Sequence, residues 1–517
     1  MQKNLILAVV LSSLVYIGWY SFMEKKIQPQ KAQTEQAAQA AQANTAQAAA
    51  AQTAAAANGA QAEPQALPEN WKKDSVTLKA GKAEYTFLTS EASLASAVYE
   101  GPVAPIELVP DPARGFFYAT LPGKFALKAK TEDSVEFVSK QGAVQFTKKF
   151  TLSKDNTINS IEITAVNTSG KTQTLAPWEL RVGPGLGTAQ SEMKENAKLC
   201  KADYTYNETG RKHPTIKELK DEPAQFDWVW TGMNNRYFLA ALVNSDFQNT
   251  RPLRRLEKVG ENAKTPMLVV PMPGVELAAG ARRVWTSSFY LGPKDYSLLK
   301  KLGMGLDRAV DFGFFAPLAK LADSALGFFY KHTGNYGVSI VILSLLIQLI
   351  LTPLSFKSFK AMAVMKKIQP EMQAIQKKYK DDPKRMNQEV MDLYKRHGTN
   401  PLGGCLPMLL QIPVFFSLFT ALRNSWPLHG APFVFWIKDL SAKDPFYVLP
   451  LVMGGIMFLQ QHMNPQTSDP SQAAMMKWMP VIFTFMFLTF PSGLVLYWLI
   501  NSTWGFAQSM YLQKKMA

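Results

Sequence analysis

Hydrophobic and polar residues are unevenly distributed along the chain, with apolar runs at its start and in its last third. Residues 4–23 are 20 consecutive uncharged positions, and further apolar runs begin after residue 330. A helix of about 20 apolar residues is long enough to cross the ~30 Å hydrocarbon core of a bilayer. The pattern therefore excludes a single soluble globule and predicts a membrane protein.

The first apolar run is interpreted as a retained transmembrane anchor within residues 1–27. A cleaved signal peptide is the alternative, since Lys3 would suit its basic start. Trp19, Tyr20 and Phe22 occupy the place where a cleavage site needs small residues, which favours the anchor. Residues 28–66, rich in Ala and Gln, offer no large apolar face and are expected to be a spacer that attaches the next domain loosely.

Residues 67–305 have the pattern of a β-rich domain. Strand-type residues alternate in runs at 134–138, 143–146 and 158–164, which Gly, Asn and Asp separate. Many short strands at this spacing predict a sandwich. The sequence shows no nucleophile, phosphate-loop or metal motif here, so we expect a binding or spacing domain. Its tryptophans are expected in the core, namely Trp178, Trp228, Trp230 and Trp285.

Residues 306–332 are predicted to form an amphipathic helix in the membrane interface. Apolar residues recur there at helical spacing, at Val310, Phe314, Leu318 and Leu321. An ordinary amphipathic helix of a globular domain is the alternative, and Pro317 is a candidate kink.

Five further apolar segments make up a predicted membrane core within residues 333–517. Several are short enough to need either extension by flanking residues or local thinning of the bilayer. The segments are 337–354, 402–422, 446–459, 478–490 and 493–511.

Charge predicts the topology of these segments. The net charge is +16, and residues 355–400 hold 11 Lys/Arg against 5 Asp/Glu, whereas residues 424–445 are balanced. The positive-inside rule puts the basic stretch in the cytoplasm. By alternation, both termini are then cytoplasmic and the β-domain lies outside.

The basic stretch at 355–400 has the spacing of an antiparallel helical hairpin. Asp382 is expected to cap a second helix that begins at Pro383. The charge either only fixes topology or makes a docking surface for an acidic partner, RNA or a hydrophobic nascent segment, and the pattern leaves both readings open. The seam residues are Met365, Ile368, Met372, Ile375 and Tyr379, followed by Met386, Val390 and Leu393.

Uncharged polar residues replace ionisable groups inside the apolar segments. Ser344, Gln348 and Thr352 form one helical stripe, while Tyr497 and Asn501 share a face of the last segment. Two readings remain: ordinary hydrogen bonding between helices, or a hydrated groove that admits a polar segment without trapping it.

Several long motifs resemble those of the bacterial YidC membrane-protein insertase family. The two most specific are NPLGGCLPMLLQIPVF at 400–415 and FPSGLVLYW at 490–498. Similar segments lie at 354–394, 431–433 and 436–441, and in the β-domain at 228–238 and 290–294.

The resemblance implies an α-helical polytopic membrane protein of the bacterial inner membrane, with a five-helix insertase core, an N-terminal anchor and a large periplasmic all-β sandwich domain. It implies insertion and folding of nascent inner-membrane proteins, alone or with the Sec translocon, through a groove open to cytoplasm and lipid. The expected groove residues are Ser344, Gln348, Thr352, Gln411, Phe415, Tyr497, Trp498 and Asn501.

Two departures from the family pattern are visible. The family usually has a basic residue where this chain has Gln348, and the chain stops soon after Lys515 without a long basic tail. Expected partners are nascent membrane proteins, the Sec translocon, the ribosome or signal-recognition machinery, and lipids, with no direct nucleic-acid specificity.

The expectation includes no cofactor, no metal and no catalytic residue. A small-solute transporter or channel is one rival, but the sequence shows no internal repeats and no charged pathway. A membrane-anchored enzyme is the other, and the chain lacks an acid–base or nucleophile constellation to support it.

Overall fold

The computed structural model describes residues 71–516, apart from 114, 156, 212, 225–226, 248, 260–262, 399–405 and 464–469. The predicted anchor at 1–27 and the spacer at 28–66 lie outside the described residues. The described residues form a β-domain, which includes one short helix, and a set of helices that come after it in the chain.

The β-domain consists of antiparallel strands in the described part of residues 75–293. The largest sheet has nine strands in the order β13-β12-β14-β15-β19-β9-β8-β7-β6, and the others are β1-β2-β3-β4, β16-β17-β11-β5 and β10-β18. The strands are β1 (Ser75–Ala80), β2 (Ala83–Leu88), β3 (Ser93–Glu100), β4 (Pro105–Glu107), β5 (Tyr118–Ala119), β6 (Ala126–Lys130), β7 (Ser134–Gln141), β8 (Val144–Thr151), β9 (Asn159–Asn167), β10 (Gln173–Leu175), β11 (Trp178–Val182), β12 (Lys201–Tyr206), β13 (Thr215–Glu218), β14 (Trp228–Asn234), β15 (Phe238–Ser245), β16 (Leu253–Val259), β17 (Ala263–Met272), β18 (Val275–Leu277) and β19 (Arg282–Pro293).

Aromatic side chains fill the space between the sheets. Phe150 of β8 lies 4.7 Å from Phe87 of β2, and Trp178 of β11 lies 5.5 Å from Trp285 of β19, measured between ring centroids. The alternation of buried and less buried residues along β8 is what a strand with one face on a core requires. The predicted sandwich is confirmed, and the four tryptophans expected in the core are at most 4% exposed.

Nine helices are present in the described part of the chain. Two one-turn 3-10 helices, Leu306–Ala309 and Trp426–Leu428, lie in connections between these helices, at the side of the β-domain. The helices are α1 (Met193–Leu199), α2 (Tyr296–Leu302), α3 (Ala316–Thr333), α4 (Tyr336–Lys378), α5 (Pro383–Arg396), α6 (Leu406–Asn424), α7 (Val448–Met463), α8 (Pro470–Phe487) and α9 (Ser492–Met516).

Helix α4 is longer than the sequence pattern indicates. It runs for 43 residues through Pro353 and Pro370, so an apolar segment and the first arm of the hairpin form one helix. The side chain of Asn335 caps its start by accepting hydrogen bonds from the N–H groups of Gly337 and Val338 at 2.8 and 3.1 Å. At 1.5 Å per residue, the helix extends about 65 Å, roughly twice the thickness of a bilayer core.

One helix stretch in the described residues meets both the length and the composition expected of a membrane span. It is Tyr336–Ser358, 23 residues with a mean hydropathy of 2.3. Two shorter apolar helices follow at Val448–Met463 and Lys477–Phe487. Helices α4, α6, α7, α8 and α9 occupy the five apolar segments of the sequence.

The amphipathic helix begins later than predicted. Residues 310–315 are not helical, and α3 starts at Ala316. Pro317 therefore fits the first turn, where its missing N–H costs nothing, and does not kink the helix. Ring packing holds the preceding residues, because Phe312 is buried 4.9 Å from Tyr296 at an interplanar angle of 85°.

Trp426 joins the helical region to the core of the β-domain. It follows α6, yet its ring lies 4.9 Å from that of Phe238 and 5.9 Å from that of Tyr99, and only 8% of its surface is exposed. The ring of His429 also stacks on it at 5.2 Å. One continuous core therefore crosses the junction between the β-domain and the helical region.

Removing this ring tests the junction. We expect Trp426→Ala to lower the free energy of unfolding by about 3–5 kcal/mol, as for other buried aromatic truncations. Phe435→Ala is the matched control, since Phe435 is 81% exposed. Denaturant unfolding of the purified chain measures both variants. If both lost the same small free energy of unfolding, the junction would contribute little to stability and this prediction would be wrong.

A buried lysine makes the stability of the β-domain depend on pH. Lys148 of β8 is fully buried and donates to the carbonyl oxygen of Phe117. Burial lowers its pKa from 10.5 to about 7, although Glu91 opposes the shift. Between these two pH values the unfolded chain binds the proton that the folded chain has lost, so stability rises with pH in that window.

We expect the free energy of unfolding to rise from about pH 7 to pH 10, with a slope of up to about 1.4 kcal/mol per pH unit from this one group. Lys148→Met removes the ionisable group and should flatten the slope. Lys149→Met, at the exposed neighbouring position, is the control. An unchanged slope in Lys148→Met would contradict this assignment.

Candidate functional site: a polar line between three helices

The candidate site lies where α4, α6 and α9 meet. The start of α9 is fixed by Ser492, whose hydroxyl donates to the carbonyl oxygens of Asp439 and Ala442 at 3.1 and 2.5 Å. Together with the Asn335 cap on α4, these bonds hold the two helix starts at the side of the β-domain. Both helices therefore run away from the β-domain, and α4 continues into the hairpin.

Two polar side chains of α4 bond across to α9. The side-chain amide of Gln348, which is 6% exposed, donates to Oδ1 of Asn501. The hydroxyl of Thr352 accepts from Nε2 of Gln508 at 2.8 Å and from Nε1 of Trp504 at 3.4 Å. The predicted stripe of α4 therefore faces α9.

Ser344, the third member of that stripe, does not reach a neighbouring helix. Its hydroxyl is 1% exposed and donates to the carbonyl oxygen of Ile340 at 2.6 Å, one turn back on the same helix. Ser344 is therefore buried with its hydroxyl hydrogen-bonded, and it lies one turn before Gln348 on α4.

Helix α6 adds one bond to the same face of α9. The side-chain amide of Gln411 donates to the hydroxyl of Tyr497 at 2.7 Å. We call the resulting set the polar line; its members are Gln348, Thr352, Gln411, Tyr497, Asn501, Trp504 and Gln508.

Trp504 and Gln508 were missed by the sequence pattern. Tyr497, Asn501, Trp504 and Gln508 are spaced 4-3-4, which is the spacing of one helix face. Extending the Tyr497–Asn501 face by two turns would have found both. From Tyr497 to Gln508 the line rises about 16 Å along α9, roughly half of a bilayer core.

Phe415 and Trp498 lie beside the polar line in an aromatic layer. Their ring centroids are 4.9 Å apart at 84°, and Trp498 also contacts Phe483 and Phe487 of α8 at 5.7 and 5.4 Å. Trp498 is therefore part of an apolar seal next to the line and makes no polar contact with it. The layer extends toward the β-domain side through Phe419 and Phe490.

Two other polar residues of α6 serve a different purpose. Thr420 donates to the carbonyl oxygen of Phe312 at 3.1 Å, and Asn424 donates to that of Asp311 at 2.7 Å. These bonds tie the end of α6 to the segment before α3.

The site carries no formal charge. The sequence has no Asp, Glu, Lys or Arg at 336–356, 411–422 or 478–512, the stretches that form the polar line and its seal. Within the described residues, no group of three or more His, Cys, Asp and Glu side chains could hold a metal ion. The chemistry available is hydrogen bonding between neutral amides, hydroxyls and an indole.

The hairpin packs along part of the predicted seam. Ile368 and Leu393 are 2% and 0% exposed, and the hydroxyl of Tyr394 donates to Sδ of Met372 at 3.3 Å. The remaining seam residues are half-buried, namely Met365, Ile375, Tyr379, Met386 and Val390.

The turn of the hairpin forms as predicted. The Asp382 side chain accepts from the N–H of Arg385 at 3.1 Å and Pro383 takes the first helical position of α5. Tyr394 also contacts the seam, but the spacing did not indicate it. It directly follows the seam residue Leu393 and so lies at the edge of the predicted apolar face of the helix.

Comparison with known proteins matches both regions of the chain. The family described as the YidC periplasmic domain matches residues 75–321, and the family described as 60Kd inner membrane protein matches residues 328–517.

Curated relatives share the name membrane protein insertase YidC. The protein of Endomicrobium trichonymphae is 44% identical over 413 residues, which cover 77% of each chain. That of Citrifermentans bemidjiense is also 44% identical, over 326 residues that cover 63% of this chain and 60% of the relative.

Similarity to solved structures is weaker. An active YidC insertase with its first transmembrane domain resolved gives a TM-score of 0.39 at 18% identity, covering 85% of this chain and 92% of that one. YidC from Thermotoga maritima gives 0.29 at 15% identity, covering 84% and 99%. The two family matches and the 44% identity over 77% of the Endomicrobium trichonymphae protein carry the conclusion: the chain belongs to the YidC family of membrane protein insertases.

Proposed function

We propose that the chain inserts nascent membrane proteins into the inner membrane, alone or with the Sec translocon, through a groove built on the polar line. The main observation behind this proposal is that neutral side chains form hydrogen bonds between α4, α6 and α9 in the half of the bundle nearer the hairpin. The groove opens to the cytoplasm and to lipid. The reaction involves no covalent chemistry.

The polar line lowers the cost of bringing a hydrophilic segment into the bilayer. A polar group placed in hydrocarbon without a partner costs several kcal/mol. The amide of Gln348 and the hydroxyl of Tyr497 exchange their present partners for groups of the substrate. Because a hydrogen bond contributes only about 0.5–1.5 kcal/mol net, such exchanges are close to neutral and reversible.

The absence of charge at the site has a mechanistic consequence. A buried charge would hold an oppositely charged flank tightly, whereas neutral partners release it. The driving force then comes from burial of the substrate's own apolar span in lipid, at about 25 cal/mol per Å² of apolar surface. The aromatic layer around Phe415 and Trp498 ends the polar path toward the β-domain side and so limits leakage.

Short helices support the same mechanism. Helix α7 has 16 residues and spans about 24 Å, less than the ~30 Å of a typical hydrocarbon core. The apolar part of α8 is shorter still, at Lys477–Phe487. The bilayer thins locally to meet such helices, which shortens the distance that a hydrophilic flank must cross.

The junction and the hairpin support the proposed topology. Trp426 packs into the β-domain, which supports placing residues 425–447 on the same, periplasmic, side. The hairpin at the opposite end of α4 carries the excess of basic residues and lies in the cytoplasm. Both chain termini are then cytoplasmic, with residues 1–27 as the first span.

The hairpin contacts the machinery that delivers substrates. Its basic surface suits a ribosome or signal-recognition partner, which it binds through charge without reading a nucleic-acid sequence. Helix α3 contacts lipid, because Leu318, Leu321 and Phe328 on it are 45–67% exposed.

Reconstitution tests the proposed function. Purified chain is incorporated into liposomes and presented with a single-span substrate, and protease protection reports the translocated flank. Protected substrate supports an insertase. Solute flux or substrate modification without protection would reject it in favour of a transporter or an enzyme.

Gln348 provides the sharpest prediction at the site. Gln348→Leu leaves Asn501 without its partner, so substrates with polar flanks should insert about fivefold more slowly, corresponding to one lost hydrogen bond. Gln348→Arg should be tolerated despite a cost of about 2.5–3.5 kcal/mol, and should shift preference toward acidic flanks. Paired substrates that differ only in flank charge measure both effects.

Leu349→Ala is the matched control for Gln348, since the neighbouring side chain is 53% exposed on the outward face of α4. It should insert every substrate at the normal rate. If Gln348→Leu behaved like this control on all substrates, the residue would serve only helix packing.

The hairpin is predicted to matter beyond its charge. Leu393→Ala removes a fully buried seam residue and should destabilise the hairpin by about 2–5 kcal/mol without changing any charge. We expect slower insertion with unchanged orientation of the chain. Met391→Ala, on the same helix but 49% exposed, is the control. Equal rates in the two variants, with the seam shown to be disrupted, would reject this role.

A further inference from the structure

A cavity of about 650 Å³ lies between the β-domain and the helices. Strands β12 and β13 form one wall, and the segment before α3, α3 itself and the end of α6 form the other. It is separate from the polar line and shares none of its residues. Both parts of the protein therefore contribute walls to this space.

The walls of this cavity are predominantly positive. Seven basic and four acidic side chains line it, although two of the basic ones, Arg236 and Arg423, form ion pairs with Glu192 and Glu195 outside this set. Two of the acidic groups are already neutralised by lining lysines, since Lys201 is 3.5 Å from Glu218 and Lys320 is 4.0 Å from Asp307. A third acidic group, Asp203, accepts a hydrogen bond from Asn234 at 2.6 Å.

Two of the lining basic side chains, Arg308 and Lys294, are not fully paired within the described residues. Arg308 has no ion-pair partner in the described part of the chain. Lys294 is 5% exposed, and its ammonium, which has three N–H donors, bonds Asn234 Oδ1 at 3.3 Å and the Asn235 carbonyl oxygen at 2.6 Å. Repulsion from Arg308 adds to burial in lowering the pKa of Lys320. A concentration of positive charge of this kind favours an anion.

The surroundings indicate where the anion comes from. Residues 312 and 313 line the cavity, and the next residue, Phe314, is 88% exposed. Leu318 and Leu321 continue this exposed apolar surface along α3. An anionic lipid with its headgroup in the cavity would therefore place its acyl chains against this exposed apolar surface and shield it from water.

We propose that this cavity binds a phosphate group, and that the group is the phosphodiester of an anionic phospholipid from the periplasmic leaflet. Arg308 and Lys320 bind it from the helical side, and Lys201 and Lys294 from the β-domain side. Because the two walls belong to different regions of the chain, the bound lipid bridges the β-domain to the membrane surface.

Binding to the purified full chain in detergent tests the proposal. The probes are short-chain phosphatidylglycerol, phosphatidylcholine with the same acyl chains, and inorganic phosphate, each titrated while thermal unfolding is followed. We expect saturable binding of phosphatidylglycerol at least tenfold tighter than of phosphatidylcholine. Inorganic phosphate that binds equally tightly would keep the phosphate site but assign it to a soluble anion.

Two variants of Arg308 and one control variant locate the site. Arg308→Gln should weaken phosphatidylglycerol binding about tenfold, as expected for one charged hydrogen bond, and Arg308→Lys should retain most of it. Lys301→Gln removes the same charge from an exposed neighbouring position outside the cavity and should change nothing. Equal affinity for the two lipids, or equal losses in Arg308→Gln and Lys301→Gln, would overturn the proposal.

Discussion

A side-chain amide inside a helical bundle must find a hydrogen-bond partner, because neither lipid nor apolar side chains supply one. Gln348 meets this requirement by bonding Asn501, and Gln411 meets it by bonding Tyr497. The two bonds bring α4 and α6 onto the same face of α9. The arrangement of the three helices, and with it the proposed groove, depends on these neutral pairs.

The same pairs explain how a stable bundle can also be a path for polar segments. A charged site would be either too costly to bury empty or too attractive to leave once filled. Neutral pairs are satisfied without substrate and can be replaced by substrate groups at little net cost. Because Gln348 is uncharged, the proposed groove of this chain has to accept polar segments without a buried charge at this position.

Local chemistry could be predicted from the sequence, whereas contacts between distant residues could not. The cap at Asp382, the strands around residues 134–167 and the stripe of Gln348 and Thr352 follow from spacing and side-chain type. The packing of Trp426 into the β-domain joins residues more than 180 positions apart, and no local pattern encodes it. The late start of α3 has the same cause, since Phe312 is held by a ring of another helix.

Site-specific photocrosslinking to a ribosome-stalled nascent membrane protein tests the central claim most directly. A crosslinker replacing Gln348 or Tyr497 faces the polar line, whereas one replacing Ile350 faces outward, since that side chain is 75% exposed. We expect crosslinks to the polar flank of the substrate from the first two positions, and from Ile350 crosslinks at most to the apolar span of the substrate. Flank crosslinks of equal strength from all three positions, or none from Gln348 and Tyr497 while insertion proceeds, would contradict it.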